Sequence, residues 1–120
     1  MIQNKTLLKL ADNSGVISVE CIRRYQPKHK LKIGSFILVI IKRVRLQPKL
    51  KAGLVNKAII IRARQKLARQ NGSYVQFADN SVVLLNFKNE YYGTRLIGPI
   101  STELRKKGIV KILSLANYLF

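Results

Sequence analysis

GSFILVIIKRV (Gly34 to Val44) and GLVNKAIIIRA (Gly53 to Ala63) decide the fold. Each is a burst of β-branched and aliphatic residues entered from a glycine, and each runs into Lys or Arg as it ends. Short bursts rich in Ile and Val and bounded by glycine favour strands over helices. The longest unbroken apolar run, FILVII (Phe36 to Ile41), has six residues. A membrane-crossing helix needs about 20.

Outward from these two stretches the strand signals recur. TLLKL (Thr6 to Leu10) is short and apolar, and Asp12-Asn13-Ser14-Gly15 supplies a turn after it. Val16 to Ile22 alternates, which predicts Ile17, Val19 and Cys21 on one face and Ser18 and Glu20 on the other. Asn71-Gly72 is a hairpin signal whose second flank is SYVQF. SVVLLNF (Ser81 to Phe87) reads as a further strand, with Phe36, Phe77 and Phe87 expected in the core. Beyond Gly98-Pro99, Ser101 or Thr102 caps a predicted helix ended by Gly108, and Ile109 to Leu119 reads as a second short helix. At least five short strands followed by a small helical tail define a mainly β chain. A closed or nearly closed barrel buries strands this short while hiding their edges. One domain over residues 1–120 is expected, with the barrel over about 1–97 and the tail over about 100–120.

Charge sets the function class. The chain has 23 Lys+Arg against 5 Asp+Glu, a formal net charge of +18. Between Glu20 and Asp79 there is no acid, and fifteen Lys or Arg run from Arg23 to Arg69. Self-repulsion of that size calls for a polyanion, with nucleic acid the first candidate. The cations cluster at Arg23-Arg24, Lys28 to Lys32 (including Lys30), Lys42-Arg43 with Arg45, Lys49 with Lys51, Arg62 with Arg64 and Lys66, and Arg69. These groups fall at strand ends or in the loops that follow, where cations can pair phosphates and release counterions.

Groups for catalysis are sparse. His29 is the one histidine and lies in a charged run, the five acids are scattered, and no phosphate-binding glycine motif is present. Cys21 alone cannot form a disulfide framework, and with His29 it makes no zinc site, so a non-enzymatic protein without cofactor or metal is expected. Tyr25, Tyr74 and the Tyr91-Tyr92 pair are the candidate base-stacking aromatics, too few for a sequence-reading platform. Folded RNA bound by its backbone and shape fits better than a free single-strand-binding barrel. A peripheral membrane protein would need a basic amphipathic helix. The segment after Gly108 offers only Lys111, so no membrane partner is expected.

The chain also resembles the large-subunit ribosomal protein fourteen family. The likeness rests on the opening MIQ, on LADNSG (Leu10 to Gly15), on Cys21-Ile22, and on an ordered central pattern. In that pattern Ala58 precedes Ile59, Ile60 and Ile61; nine residues follow; then come Asn71-Gly72, Phe77, Asn80 and Val83-Leu84. GTRLIGPISTELR (Gly93 to Arg105) and KILSLA (Lys111 to Ala116) are similar to the family's C-terminal segments. The resemblance implies a five-stranded β-barrel with a C-terminal helical part, seated on large-subunit ribosomal RNA and packed against neighbouring large-subunit proteins. It further implies a face turned to the small subunit, contributing bridges to its RNA and serving as docking site for a ribosomal silencing factor, with Thr94, Arg95 and Lys111 on or near it. The sequence departs from the family at Ser35 and Leu54, where relatives often carry an acid after glycine, and in a shorter loop from Phe87 to Tyr92. Abundant Lys, Ile and Asn, absent Trp and a Met1 start without a presequence suggest synthesis inside an organelle, a mitochondrion first, with a bacterial cytoplasm or plastid as the alternative.

Overall fold

The computed structural model describes residues 2–24, 31–45, 50–106, 110–115 and 118–119. Its elements in chain order are β1 (Leu7–Leu10), β2 (Val16–Arg24), β3 (Phe36–Val44), β4 (Val55–Arg62), β5 (Leu67–Ala68), β6 (Tyr74–Val75), β7 (Ser81–Leu85), β8 (Pro99–Ile100), α1 (Glu103–Lys106), α2 (Val110–Leu115) and β9 (Tyr118–Leu119). Strands β1, β2, β3, β4 and β7 close into a barrel in that order. All neighbours are antiparallel except β1 and β7, whose parallel pairing sets Lys9 against Ser81 and Leu10 against Val82 and closes the ring. Closure removes the free edges that strands of four to nine residues would otherwise present.

Two apolar clusters explain the two quoted stretches. Inside the barrel lie Leu8, Val19, Cys21, Ile37, Val39, Ile41, Ala58, Ile60, Val82 and Leu84. Leu31, in the β2–β3 connection, and Leu50, in the β3–β4 connection, join this cluster from opposite ends and plug the barrel. The alternate residues of β4 and β7, namely Ile59, Ile61, Val83 and Leu85, point outward and are equally buried. They pack beneath Leu96, Ile100, Leu104 and Ile112 of the C-terminal segment. A strand covered on both faces reads as a continuous apolar run, which is why AIII and VVLL do not alternate. Four large side chains contributed by the C-terminal segment at about 2 kcal/mol each give roughly 8 kcal/mol as an upper estimate, so this cover is integral to the fold.

Four expectations are corrected. Ile17 is 45% exposed, whereas Val16 and Val19 are buried. Register shifts between Val16 and Ser18 and between Ser18 and Val19 insert a bulge that turns Ile17 outward. Phe87 is 65% exposed, because β7 ends at Leu85 and the chain turns at Asn86, whose side-chain oxygen accepts from Lys88 N and Glu90 N, both at 2.9 Å. Phe36, at 37% exposed, lies outside the barrel with Lys57 Nζ 4.6 Å from its ring centroid, whereas Phe77 packs against the second cluster. The second predicted helix is shorter than Ile109 to Leu119, since Tyr118 and Leu119 instead pair in parallel with Pro99 and Ile100. A six-residue helix gains little from its own backbone, and the available strand edge wins.

The Asn71-Gly72 signal does form a hairpin, β5 pairing with β6. The loop has three residues: Gly72 N donates to Arg69 O at 3.1 Å, Arg69 N to Ser73 O at 2.8 Å, and Gly72 takes φ 86°. That geometry is a turn followed by one left-handed residue, a position glycine fills without strain.

Candidate nucleic-acid interface

All five acids have internal uses. Asp12 is buried and accepts hydrogen bonds from Ser14 Oγ (2.7 Å), Ser14 N (3.4 Å) and Leu84 N (3.3 Å). Burial, the largest influence, lifts its pKa above the ordinary 3.8 against the lowering effect of those bonds. Glu20 sits 3.5 Å from Lys42 Nζ, Asp79 3.1 Å from Arg62 Nε, and Glu103 2.7 Å from Arg69 Nε. Glu90 accepts from Asn86 Nδ2 at 3.1 Å. Three of the five acids thus pair with cations, Asp12 is buried, and Glu90 is the one exposed acid, against a large excess of exposed Lys and Arg.

Strand direction sorts the cations by barrel end. The β2–β3 and β4–β7 connections leave one end, which carries Arg23, Arg24, Lys32, Arg64 and Lys66. Arg23, Lys32, Arg64 and Lys66 are exposed. The β3–β4 connection leaves the other end with Arg45 and Lys51, both exposed. Lys42 and Arg43 lie on β3 and are exposed on the barrel wall, where register sets Lys9, Ser18 and Arg43 in one row across three strands. Lys28, Lys30 and Lys49, with Tyr25 and His29, lie outside the described residues.

Two expected phosphate ligands face inward instead. Arg62 is 8% exposed and donates from Nη1 to Ile97 O (2.7 Å) and Pro99 O (3.3 Å) and from Nη2 to Ser81 Oγ (2.9 Å), besides its pairing with Asp79. A register shift between Ile60 and Arg62 ends β4 with this side chain turned beneath the C-terminal segment. Arg69 is half-buried and forks onto Glu103, tying the hairpin to the first turn of α1. Nothing in the spacing of Arg62, Arg64 and Lys66 distinguishes the inward member from the outward two. Only the packing does.

Thr94, Arg95 and Lys111 are all exposed. Asn13 fixes the first two: its Oδ1 accepts from Thr94 N (2.8 Å) and Arg95 N (3.2 Å), and its Nδ2 donates to Thr94 Oγ1 (2.9 Å). Lys111 stands on α2, whose Leu115 O accepts from Leu96 N at 3.4 Å, so helix and loop share one side of the molecule. Its Nζ lies 5.6 Å from the Tyr91 ring centroid. Gly93 belongs to the same knot, since a Cβ there would sit 2.7 Å from Asp12 Cβ. The roles of Asp12 and Asn13 were hidden behind their reading as turn formers. Leu54 and Val55, each 46% exposed, show that the departure at Leu54 does place apolar surface outside.

Tyr74 is 68% exposed on the hairpin, and Tyr91 and Tyr92 are half-buried. Among the described residues no three His, Cys, Asp or Glu side chains gather as metal ligands would. What the geometry defines is a closed basic barrel with exposed cations at both ends, the charge distribution that a polyanionic partner would complement.

The family can be stated from comparison. The sequence pattern of the family described as Ribosomal protein L14p/L23e matches residues 1–120. The chain is 44% identical over 117 residues to a protein of Aquifex aeolicus (strain VF5) named Large ribosomal subunit protein uL14, covering 97% of each chain. The chain belongs to the Ribosomal protein L14p/L23e family. It is a structural ribosomal protein of the large subunit and not an enzyme.

Proposed function

We propose that this chain binds large-subunit ribosomal RNA through the exposed cations of its two barrel ends and helps to hold that RNA in shape. The observation carrying this reading is the division of charge: three of the five acids pair with cations, and Arg23, Lys32, Arg45, Lys51, Arg64 and Lys66 are exposed at the barrel ends, with Arg43 on the wall. A closed barrel presenting cations at its strand ends and on hydrogen-bonded loops suits binding by backbone and shape. Filter binding to large- and small-subunit ribosomal RNA across a salt series tests it. Preference for the large-subunit RNA with a steep salt slope is expected; equal, weak binding to both would overturn it.

The Thr94, Arg95 and Lys111 face is proposed as the side turned to the small subunit, contacting its RNA at bridges and receiving a silencing factor. Its support is the family resemblance and the three hydrogen bonds by which Asn13 holds the loop ready. Neighbouring large-subunit proteins are the partners proposed for the exposed apolar residues Leu7, Ile22, Leu54 and Val55 of the barrel wall. For the compartment we propose the mitochondrial matrix, on a composition rich in Lys, Ile and Asn and lacking Trp. The Aquifex relative fits a bacterial cytoplasm as the second reading. Fractionation with a mitochondrial marker decides between them.

A further inference from the structure

A slot opens where the β2–β3 connection meets the chain leaving β4. Leu31, Ile33, Ala63 and Leu67 make its apolar walls, and Lys32, Gln65 and Lys66 stand at its rim. Leu31 is 5%, Ile33 3% and Ala63 8% exposed, so the walls are set into the core, whereas the three rim residues are exposed.

Both walls are held. On one side Lys32 N donates to Ser35 Oγ at 3.0 Å, Ser35 N to Lys32 O at 3.0 Å, and Gly34 N to Ile60 O at 2.7 Å. On the other, Phe77 N donates to Ala63 O at 3.2 Å and Arg64 N to Asn80 Oδ1 at 2.9 Å. The slot is therefore formed before any partner arrives.

We propose that the mouth of this slot, whose volume is about 40 Å³, takes one edge of a single unstacked base of the RNA, with the rest of the base outside on the Gln65 amide and the flanking phosphates on Lys32 and Lys66. This rests on the RNA-binding reading above and deepens it. RNA sequence is read mostly where bases are unstacked and can enter pockets. A primary amide offers both donor and acceptor to a base edge. Charge complementarity selects the occupant: two ammonium groups rim an apolar slot lined by no carboxylate, and the acids on neighbouring segments, Asp79 and Glu103, are held by Arg62 and Arg69. An apolar side chain from another protein would fill the walls and leave both cations unanswered.

The test uses the full-length protein with in vitro transcribed large-subunit ribosomal RNA, read by ultraviolet crosslinking with mass spectrometry and by binding across a salt series. One nucleotide crosslinked to the peptide carrying Leu67 or Leu31 is expected. Gln65→Ala should weaken binding about tenfold, the loss of one well-placed hydrogen bond in a buried contact, at unchanged salt slope. Lys32→Ala and Lys66→Ala should each lower the slope by about 0.7–0.9. All three side chains are exposed, and circular dichroism checks that the variants fold. Binding that survives with no crosslink at either wall and no effect of Gln65→Ala overturns the slot while leaving RNA binding intact. A crosslink from these walls to another protein in whole subunits likewise overturns it. No RNA binding by the unaltered protein removes the underlying reading instead.

Discussion

Replacing Arg62 by Ala separates a structural arginine from an RNA ligand. The guanidinium makes three short hydrogen bonds, at 2.7 Å to Ile97 O, 2.9 Å to Ser81 Oγ and 3.1 Å to Asp79 Oδ1. Each charge-assisted bond lost, with its acceptor left behind, costs about 1–1.5 kcal/mol, so the variant should lose about 3–4 kcal/mol. That is the low end for breaking a buried ion pair, because the Asp79 side chain is 31% exposed and water can recover part of its solvation. Urea unfolding followed by circular dichroism reads this directly. With a slope of about 1.5 kcal/mol per molar urea, the midpoint should fall by about 2 M. Arg62→Lys keeps the charge but not the fork, and should lose about half as much. At temperatures where the variant is folded, its salt slope for RNA should match the wild type. A midpoint within about 0.5 M of wild type, with a slope reduced by about one, would instead make Arg62 a phosphate ligand.

Further outcomes follow from the same geometry. Arg43→Ala and Arg45→Ala should each lower the RNA salt slope by about 0.7–0.9, whereas Arg69→Ala, which releases Glu103, should chiefly lower stability in a urea titration. Asp12 holds its proton to higher pH when folded than when unfolded, so its contribution is most favourable below the ordinary 3.8 and is lost as pH rises through the raised value. Denaturation of wild type and Asp12→Asn at several pH values should therefore show the wild type losing ground to the variant as pH rises across the acid range. Gly93→Ala must push Asp12 or its loop aside, costing about 1–3 kcal/mol, read as a lower melting temperature. Asn13→Ala should speed hydrogen exchange at the Thr94 and Arg95 amides while leaving the β4 and β7 amides protected.

Most of the barrel was legible because its signals are local. Glycine-bounded runs of Ile and Val mark β3 and β4, and each sits in the closed sheet. Asn71-Gly72 marks a hairpin through backbone conformation alone, although its three-residue loop was not foreseeable from the pair. Alternation failed at Ile17, because a bulge changes which side chains face inward without changing composition. It failed again at Phe87, where Asn86 turns the chain before the apolar run is finished. The second core, under Leu96, Ile100, Leu104 and Ile112, arises from contacts far apart in sequence, and so does the inward turn of Arg62. For the same reason the sequence showed a cationic stretch but not which cations the acids had already taken. Asp79 and Glu103 lie 17 and 34 residues from the arginines they hold.

This chain is a large-subunit ribosomal protein, and ribosomal RNA is what we propose holds it there. Sucrose-gradient sedimentation of a gentle lysate, following the protein against large- and small-subunit RNA at moderate and high salt, tests it most directly. Stoichiometric migration with large subunits and monosomes at moderate salt is expected, with release only as salt rises. Protein remaining at the top of the gradient, or large subunits purified without it, would contradict it.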